Sequence, residues 1–424
     1  MIKYVFLVRV PPRAFPNPYH EWFPELMPES ALIIHAGRFD LWGIGDSYQE
    51  ELRSKYAKCY FLKDYDSTGE LERIVIDLNS IHPLQAIIAQ SEFDILRAAR
   101  LRKYLSIPGL WSDAAVLFRD KLIMKQVVGQ LGLRVPCSAQ AASYTDIYEF
   151  ARHHGFPIVV KPRLGAGSIG VQVIHDEVEL ETFATTRFLH SLDDVSFLIV
   201  EKFVTGEMLH VDGIVQNGRV AFAVPSRYIN GCLAFQDGDF VGSVMLDRDS
   251  LAYARAQAYV NKLVVGLPFP AIASFHIELF ELPNGDISLC EIAIRTGGAR
   301  IRDTIKLITG FDLDRYVAAV ECGLPSELPS NVSNNLAGFG LIPPRRGRLL
   351  HAPTSITVEG LVQFQLTRMD LPQEFNAANA SIDNICSFIV RGGSETEVKN
   401  RVYEVANTVS AKLDWQELEE GTAP

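Results

Sequence analysis

The sequence predicts a protein of the mixed α/β (α+β) class, and two observations carry this prediction. In residues 1–110, short apolar runs typical of strands alternate with polar and helical segments, a pattern that favours an open sheet with parallel pairing. From about residue 155 onward, strand-like runs follow one another closely and are joined by short turns, with helical segments between them. We therefore predict an N-terminal open α/β domain that is followed by an α+β region.

The first elements are predicted from residue type and from turn signals. Tyr4–Val10, Ala31–His35 and Ile74–Leu78 are β-branched, apolar runs that are each followed by polar sequence, so they are predicted to be strands. A helical pattern that starts near residue 112 runs through Lys121–Leu131 and is ended by a glycine and then a proline. A second helix is predicted over Ser143–His153, which begins with capping residues and also stops before a glycine and a proline.

The strand-rich region contains the remaining predicted elements. An Asn-Gly pair at residues 217–218 separates two apolar runs there, which is a strong signal for a hairpin turn. The elements in chain order are strands at Ile158–Lys161, Val171–Ile174, Phe197–Phe203, Leu209–Val215 and Val220–Val224, a helix over 251–265, a hairpin of Ser274–Leu282 with Ile287–Ile292, a helix at Asp314–Cys322 and a helical stretch at Thr396–Trp415.

The composition restricts the class of protein. The 40 Lys and Arg residues against 51 Asp and Glu residues give a net charge of −11, so nucleic acid and anionic membranes are not expected partners. The six cysteines have no Cys-x-x-Cys spacing, which is typical of free thiols in a reducing compartment. The longest uncharged stretch, Leu263–Ile277, contains two prolines and falls short of the ~18 residues that a membrane span needs. We expect a soluble, cytoplasmic protein.

A glycine-rich loop is the most informative motif. A predicted strand delivers Lys161 to this loop, which contains Gly165, Gly167, Ser168 and Gly170. Backbone N–H groups of such a loop can bind phosphate oxygens, and Lys161 adds a point charge. Because the loop joins two strands, it differs from a Walker loop, which opens a helix. A plain glycine-rich hairpin with an exposed lysine explains this loop, taken alone, equally well.

Two further segments have a weaker pattern. Lys121 begins a predicted helix, where a lysine is ordinarily solvated. The segment 201–204 ends a predicted strand and is followed by a turn before Glu207. Backbone donors and acceptors beside apolar side chains suit an adenine ring. Glu201 would accept a hydrogen bond from the adenine amino group or the ribose. Taken alone, an edge strand with solvated charges explains this segment better.

A carboxylate pair indicates a metal–phosphate site. Glu278 and Glu291 lie on the two arms of the predicted hairpin, and two carboxylates that face one pocket repel each other unless a cation lies between them. Mg²⁺ prefers oxygen ligands and commonly shares them with substrate phosphates. Arg295 can stabilise charge that develops on a phosphoryl group or an oxyanion. The backbone of Gly297 and Gly298 can bind a carboxylate, or can simply form a turn.

In this order and with this spacing, the motifs resemble the ATP-grasp superfamily, and within it the carboxylate–amine ligases, most of all the amino acid ligases that make dipeptides. The resemblance covers about residues 113–322. It implies an ATP-grasp fold with two α+β subdomains and a C-terminal lid-like portion. The expected domains are an N-terminal α/β domain at 1–112, a subdomain with the phosphate loop at 113–192, a subdomain with the adenine and metal site at 193–330 and a C-terminal subdomain at 331–424.

The resemblance also implies a role for each candidate residue. Arg295 and Lys161 are the expected catalytic residues, and Glu278 and Glu291 are the expected metal ligands. The residues expected to bind ATP are Lys121, Lys161, Gly165, Gly167, Ser168, Gly170, Glu201, Lys202, Phe203, Val204 and Glu207. The residues expected to bind substrate are Gly297, Gly298 and Arg302, of which Arg302 is equally well explained as a solvated charge on the next helix.

One position departs from the family pattern. Members usually have Glu-x-Asn-x-Arg, in which the Asn is a further metal ligand, and Ala293 takes its place here. The resemblance therefore implies ATP together with one or two Mg²⁺ ions, for which Mn²⁺ can substitute. The number of ions is left open by Ala293.

The resemblance implies ligation through an acyl phosphate, with release of ADP and phosphate. The expected partners are a small-molecule carboxylate, such as an amino acid, and an amine, with neither nucleic acid nor a membrane involved. We also expect a homodimer. Two alternatives stay open: transfer of the acyl group to a thiol or a carrier protein, and a non-catalytic ATP-binding protein, which Ala293 favours.

Overall fold

The computed structural model describes residues 1–9, 17–38, 46–186, 198–329, 333–367 and 369–418. The strands are β1 (Tyr4–Val8), β2 (Ser30–His35), β3 (Lys58–Leu62), β4 (Ala86–Ala89), β5 (Ser138–Ala141), β6 (Ile158–Pro162), β7 (Gln172–Ile174), β8 (Leu198–Lys202), β9 (Glu207–Gln216), β10 (Arg219–Ile229), β11 (Val241–Met245), β12 (Ile272–Glu281), β13 (Ile287–Ala293), β14 (Leu336–Ile342), β15 (Gly347–His351), β16 (Leu361–Leu366), β17 (Gln373–Phe375), β18 (Cys386–Gly392) and β19 (Asp414–Gln416).

Twelve α-helices lie between or beside these strands in the described part of the chain. They are α1 (Tyr19–Trp22), α2 (Asp46–Lys55), α3 (Glu70–Ile81), α4 (Ile95–Leu105), α5 (Ser112–Ala115), α6 (Lys121–Gln130), α7 (Tyr144–His154), α8 (Glu177–Thr186), α9 (Leu251–Gly266), α10 (Ile301–Thr309), α11 (Leu313–Glu321) and α12 (Glu395–Ser410). None of these described helices is long and apolar enough to cross a membrane.

The N-terminal sheet is open and parallel, with strand order β3-β2-β1-β4. The central strand β1 is buried throughout and pairs in parallel with both β2 and β4. The predicted strand Ile74–Leu78 is wrong, because this run lies in α3. That helix buries Leu71, Ile74, Val75 and Leu78, whose spacing of three or four residues is the period of a helix and not of a strand. The predicted α/β class is confirmed.

A second, antiparallel sheet of order β5-β8-β6-β7 follows. The loop between β6 and β7 is the glycine-rich loop. β8 pairs with β6 so that Glu201 lies opposite Val159. Lys161 is two residues after Val159 on β6, so Lys161 and Glu201 lie on the same face of the sheet. The predicted strand Phe197–Phe203 corresponds to β8, although its first residue lies outside the described residues.

The largest sheet has the order β13-β12-β9-β10-β11-β14-β18-β16. One of its faces packs on α9 and the other on α10 and α12. The antiparallel hairpin of β12 and β13 places Glu278 directly opposite Glu291. Strands on both sides of the proposed boundary at 330/331 thus belong to one sheet. That boundary and the one at 192/193 both lie outside the described residues, so the division into four ranges remains a proposal.

The C-terminal end differs in part from its prediction. The predicted helical stretch Thr396–Trp415 is helical only as far as Ser410, and β19 then pairs with β15. In that pairing Trp415 lies opposite Leu349, and its ring meets the edge of Phe375 at a centroid distance of 5.8 Å. Packing of the indole side chain within this small sheet therefore decides the conformation, because tertiary contacts override local helix preference.

Candidate active site

A cavity of about 890 Å³ lies between the antiparallel four-stranded sheet and the eight-stranded sheet. The predicted site residues that line it are Lys121, Lys161, Gly165, Gly167, Ser168, Glu201, Lys202, Phe203, Val204, Glu278, Glu291, Arg295 and Gly298. The predicted site residues that do not line it are Gly170, Glu207, Gly297 and Arg302. Segments that are far apart in the chain thus bring most of the candidates to one place.

The glycine-rich loop covers the cavity in a conformation that requires its glycines. Gly167 and Gly170 have φ angles of 64° and 72°, and Ser168 between them also has a positive φ of 59°; left-handed backbone of this kind favours glycine. A Cβ atom on Gly170 would lie 3.1 Å from the ring of Pro162. The backbone N–H of Ser381 donates to the Gly167 carbonyl at 3.0 Å. Gly170 therefore shapes the loop without lining the cavity.

Lys121 and Glu291 neutralise each other inside the cavity. The Nζ atom of Lys121 lies 3.0 Å from Oε2 of Glu291 and donates to the carbonyl of Gly165 at 2.7 Å. Burial alone would raise the pKa of Glu291, but Lys121 and Lys161 hold it below its ordinary value. Asp120 caps the helix that starts at Lys121, so it fixes the first turn of the helix and with it the position of the lysine. Glu291 is therefore ionised at neutral pH.

Glu201 is shared by two lysines. Its Oε2 atom lies 2.9 Å from Nζ of Lys161, and its Oε1 atom lies 3.2 Å from Nζ of Lys125. Burial alone would raise the pKa of Glu201, but both lysines hold it below its ordinary value. Lys125 also donates to the carbonyl of Cys290 at 2.7 Å and is 1% exposed. Lys125 is not among the predicted residues, although it lies one helical turn after Lys121 and hence on the same side of α6.

Phe203 and Val204, which follow Glu201 directly along the chain, remain candidates for an adenine contact, which stays a prediction. Both line the cavity, and Phe203 is exposed. The ammonium of Lys202 donates to the carbonyls of Gly155 and Phe156, each at 3.0 Å. Two of the three N–H donors of the Lys202 ammonium are therefore already engaged with these carbonyls.

The structure does not bring Glu207 to the cavity, and its role as an ATP contact stays a prediction. Successive side chains of a strand point to opposite faces, and on β9 it is Met208 that lines the cavity. Glu207 is 66% exposed and pairs with Arg227 on the other face. The same ion-pair cluster includes Glu281 and Glu395. Glu207 thus helps to join β9 and β10 to the C-terminal helix.

Arg302 does not line the cavity either, and its binding of a substrate carboxylate stays a prediction. Arg302 is 8% exposed, and its Nη1 atom donates to Oδ2 of Asp314 at 2.7 Å and to Oδ1 of Asn17. Its guanidinium lies over the ring of Trp22, 5.7 Å from the centroid. The side chain is therefore held between α10, α11 and the N-terminal domain, and its charge is balanced there.

Glu278 and Glu291 face each other across the β12–β13 hairpin, as predicted for a metal site. Oε1 of Glu278 accepts a hydrogen bond from the hydroxyl of Tyr228 at 2.9 Å and lies 3.4 Å from Nε2 of His276. Ala293 is buried directly opposite His276 in the strand register. The position at which the resemblance implies an amide ligand therefore holds a methyl group beside an imidazole.

A buried network that was not predicted lies behind these carboxylates. Oδ1 of Asp212 accepts from the backbone N–H of Gly297 at 2.9 Å and lies 3.0 Å from Nδ1 of His276, while Oδ2 lies 2.7 Å from Nδ1 of His210. The three side chains are close enough to hold a metal ion, but these are hydrogen-bond distances. The Gly297 amide is thus already bonded to Asp212, whereas Gly298 faces open space. Substrate binding by either glycine stays a prediction.

The strand register explains this network. β9 and β12 pair so that His276 lies opposite Asp212 and Glu278 lies opposite His210. Burial alone would lower the pKa of His276, but Asp212 raises it to about 10. The signal in the sequence is a pair of polar residues at alternate positions in each of two apolar strands, His210 and Asp212 in one and His276 and Glu278 in the other. Buried polar groups of this kind need partners.

Arg295 is bonded to a residue of the N-terminal domain. Its Nε atom donates to Oε2 of Glu92, and Nη1 of Arg119 donates to Oε1 of the same carboxylate. Glu92 is not among the predicted residues. It follows β4, a strand that was not predicted either, at the carboxyl edge of the parallel sheet. Ligands commonly bind at that edge in open α/β sheets, so recognising β4 would have indicated Glu92.

Known proteins with similar sequences include two ligases. A family model described as an ATP-grasp domain matches residues 154–303. The L-arginine-specific L-amino acid ligase of Bacillus subtilis is 25% identical over 297 residues, which are 68% of this chain and 70% of the relative. The alanine–anticapsin ligase of Bacillus subtilis is 23% identical over 375 residues, which are 82% of this chain and 77% of the relative.

Solved structures share the fold over almost the whole chain. An L-amino acid ligase from Bacillus licheniformis superposes with a TM-score of 0.73 at 15% identity and covers 98% of this chain and 99% of its own. A second match is the biotin carboxylase domain of a 2-oxoglutarate carboxylase from Hydrogenobacter thermophilus, solved with MgADP, ADP and bicarbonate. It superposes with a TM-score of 0.67 at 15% identity, over 98% of this chain and 91% of its own. Residues 154–303 thus match an ATP-grasp domain and the chain has the fold of these proteins, which confirms the resemblance seen in the sequence.

Proposed function

We propose that this chain is an ATP-dependent carboxylate–amine ligase, which forms an amide or peptide bond through an acyl phosphate and releases ADP and phosphate. One observation carries the proposal: Lys121, Lys161, the facing carboxylates Glu278 and Glu291, and Arg295 converge on one cavity. The names of the relatives support an amino acid or another small carboxylic acid as the substrate that is activated.

The residues present fit ATP and Mg²⁺. The lysines and the glycine-rich loop would bind phosphate oxygens. Glu278 and Glu291 are the oxygen ligands that Mg²⁺ prefers, and Glu291 is held ionised by the lysines beside it. We propose one or two ions, with Mn²⁺ as a substitute, because Ala293 offers no ligand atom. When bound, Mg²⁺ supplies charge neutralisation at the phosphoryl oxygens.

The first chemical step activates the carboxylate. An oxygen of the substrate carboxylate attacks the γ-phosphorus of ATP, the bond from that phosphorus to the β–γ bridging oxygen breaks, and ADP leaves. Lys121 and Lys161 orient the phosphates for in-line transfer and balance their charge, because phosphoryl transfer depends mainly on positioning and electrostatics. The product is an acyl phosphate.

The second step forms the new bond. The amine nitrogen attacks the acyl carbon, inorganic phosphate leaves with the electrons of the broken carbon–oxygen bond, and the nitrogen releases a proton. Arg295 stabilises the negative charge of the tetrahedral intermediate. The glycine-rich loop excludes water, which would otherwise hydrolyse the acyl phosphate.

We also propose that the chain acts in the cytoplasm as a homodimer. All six cysteines are free thiols, which fits a reducing compartment, and one of the structural neighbours is a biotin carboxylase domain dimer. Light scattering coupled to size-exclusion chromatography tests the dimer directly.

Nothing in the described site favours an acyl carrier protein over a small amine as acceptor.

Nucleotide analysis by chromatography tests the proposed function. The purified chain is incubated with ATP and Mg²⁺ and with amino acids, singly and in pairs. We expect ADP and phosphate only with particular substrates, and no turnover in Glu291→Ala. Glu281→Gln is the matched control, because Glu281 lies on the same strand as Glu278 but pairs with Arg227.

Two outcomes contradict the proposal. Release of AMP and pyrophosphate would indicate adenylation of the carboxylate instead of phosphorylation. Tight ATP binding without turnover on any substrate would favour the non-catalytic ATP-binding protein.

A further inference from the structure

Glu92 connects three parts of the molecule through one buried carboxylate. It belongs to the N-terminal domain, is 8% exposed, and has one oxygen bonded to Arg295 and the other to Arg119. Arg119 in turn donates from Nη2 to the carbonyl of Leu164, which leads into the glycine-rich loop, at 2.8 Å. The carboxylate thus joins the N-terminal sheet, the cavity arginine and the start of the loop.

We propose that Glu92 is a positioning residue for the ligation, which acts by fixing the guanidinium of Arg295 towards the reacting groups. This inference rests on the proposed function, in which Arg295 binds the reaction intermediate. Glu92 does not line the cavity, so its effect is transmitted through Arg295 and not by contact with substrate.

The bonding of Arg295 supports this role. A guanidinium has five N–H donors in a rigid fork. In Arg295, Nε donates to Glu92 and Nη1 donates to the carbonyl of Thr296 at 2.8 Å. Two donors therefore fix the plane of the fork, and three remain for a ligand in the cavity. A fixed donor stabilises developing charge better than a mobile one, because it needs no reorganisation during the reaction.

Charge makes Glu92 necessary for this geometry. Without it, the guanidinium groups of Arg119 and Arg295 would repel each other around the place that the carboxylate now occupies. Burial alone would raise the pKa of Glu92, but Arg295 and Arg119 hold it below its ordinary value, so the group is ionised at neutral pH. One negative charge between two positive ones leaves the cluster with a net positive charge beside the phosphate end of the cavity.

A purely structural role for Glu92 is the alternative. The same interface between the N-terminal domain and the rest of the chain contains a second ion pair at 3.4 Å, between buried Arg102 and half-buried Glu321. Neither of these residues lines the cavity. Glu321→Gln therefore gives a matched control, which removes a half-buried, ion-paired carboxyl group from the same interface but leaves Arg295 untouched.

The test compares Glu92→Gln, Glu92→Asp and Glu321→Gln in the full chain, by steady-state kinetics with ATP, Mg²⁺ and a substrate pair that supports turnover in the unmodified chain. We expect kcat to fall about 100-fold in Glu92→Gln, the size of effect seen when one oxyanion donor is lost. The KM for ATP should change little, because Lys121 and Lys161 remain. Glu92→Asp should recover part of kcat, and Glu321→Gln should lower thermal stability without lowering kcat.

A double-mutant cycle with Arg295→Lys isolates the path of the effect. If Glu92 acts through Arg295, then Glu92→Gln should lower kcat much less in the Arg295→Lys background than in the unmodified chain. Equal losses in both backgrounds, or an unchanged kcat in Glu92→Gln alone, would overturn the proposal.

Crystal structures separate this inference from the proposed function. If the unmodified chain turns over no substrate, the proposed ligase function fails on its own. The position of Arg295 in crystals of the unmodified chain and of Glu92→Gln, both grown with ADP and Mg²⁺, then decides the positioning role. A displaced or multiply oriented guanidinium supports it, and an unchanged guanidinium overturns it.

Discussion

Lys125 holds Glu201 from outside the cavity: its Nζ atom lies 3.2 Å from Oε1 of Glu201, yet Lys125 itself does not line the cavity. The same carboxylate balances Lys161, so the three groups together have one net positive charge. Lys125 thus adds positive charge to the phosphate end of the site from a place that no ligand can touch.

Replacement of this hidden lysine should weaken nucleotide binding through charge alone. In Lys125→Met the cluster loses its net positive charge, and we expect affinity for ATP to fall about tenfold, equivalent to about 1.4 kcal/mol. Affinity for adenosine, which has no phosphate, should stay the same. Isothermal titration with both ligands checks this, with Lys262→Met on an exposed face of α9 as control. An equal loss for adenosine would mean that the variant has disturbed the fold.

The two neighbouring glycines should respond differently to a methyl group. A Cβ atom on Gly297 would lie 2.4 Å from Oδ1 of Asp212 and 2.8 Å from Nδ1 of His276, whereas one on Gly298 would meet nothing within 4 Å. We therefore expect Gly297→Ala to lower the free energy of unfolding by about 1–3 kcal/mol, as overpacked sites do, and Gly298→Ala to leave it nearly unchanged. Chemical denaturation measures both. Similar values for the two variants would contradict the packing around Asp212.

The pairing of His276 with Asp212 predicts how stability depends on pH. The pKa of His276 is raised from 6.5 to about 10 in the folded protein. A raised pKa stabilises the fold below the unfolded value, and this contribution is lost as the pH rises towards the folded value. We expect the free energy of unfolding to decline between pH 6.5 and about 10, and to decline less steeply in His276→Gln. Urea titrations across this range test it, and parallel curves would show that His276 does not titrate as described.

Arg302 should behave as a structural residue and not as a substrate ligand. Removing one partner of a buried ion pair leaves an uncompensated charge, which costs about 3–5 kcal/mol, so Arg302→Met should unfold at a clearly lower temperature. Because Asp314 and Asn17 already occupy its guanidinium, the KM values for carboxylate and amine should stay the same in the folded fraction. A large rise in either KM without loss of stability would restore the role in substrate binding.

The site residues that could be predicted from the sequence are those whose chemistry is local. Lys161 and the glycines after it form one continuous motif, and Glu278 and Glu291 lie on two arms of one hairpin, so the chain itself brings them together. The ATP-grasp fold could be predicted for the same reason, because these short motifs occur in a fixed order.

Other residues could not be identified because their role depends on long-range contacts. Glu92 meets Arg295 across 203 positions of the chain, and Asp212 meets Gly297 across 85. Glu207 and Arg302 have charged partners that the sequence does not reveal, since a charged residue next to a motif gives no sign of whether its charge is already balanced. The run Ile74–Leu78 resembles a strand because it contains β-branched residues, which favour strands. It forms a helix, and the spacing of three or four residues between its buried side chains is the signal that indicates one.

The eight-stranded sheet makes the part of the chain after residue 329 indispensable for solubility as well as for shape. β14 is hydrogen-bonded along β11, from Val241 opposite Leu341 to Val244 opposite Gly338. A chain cut after residue 329 would leave β11 as an open, apolar sheet edge, and such edges recruit strands from other molecules. Shortened versions of this protein that lack β14 should therefore aggregate, however well their nucleotide site is preserved.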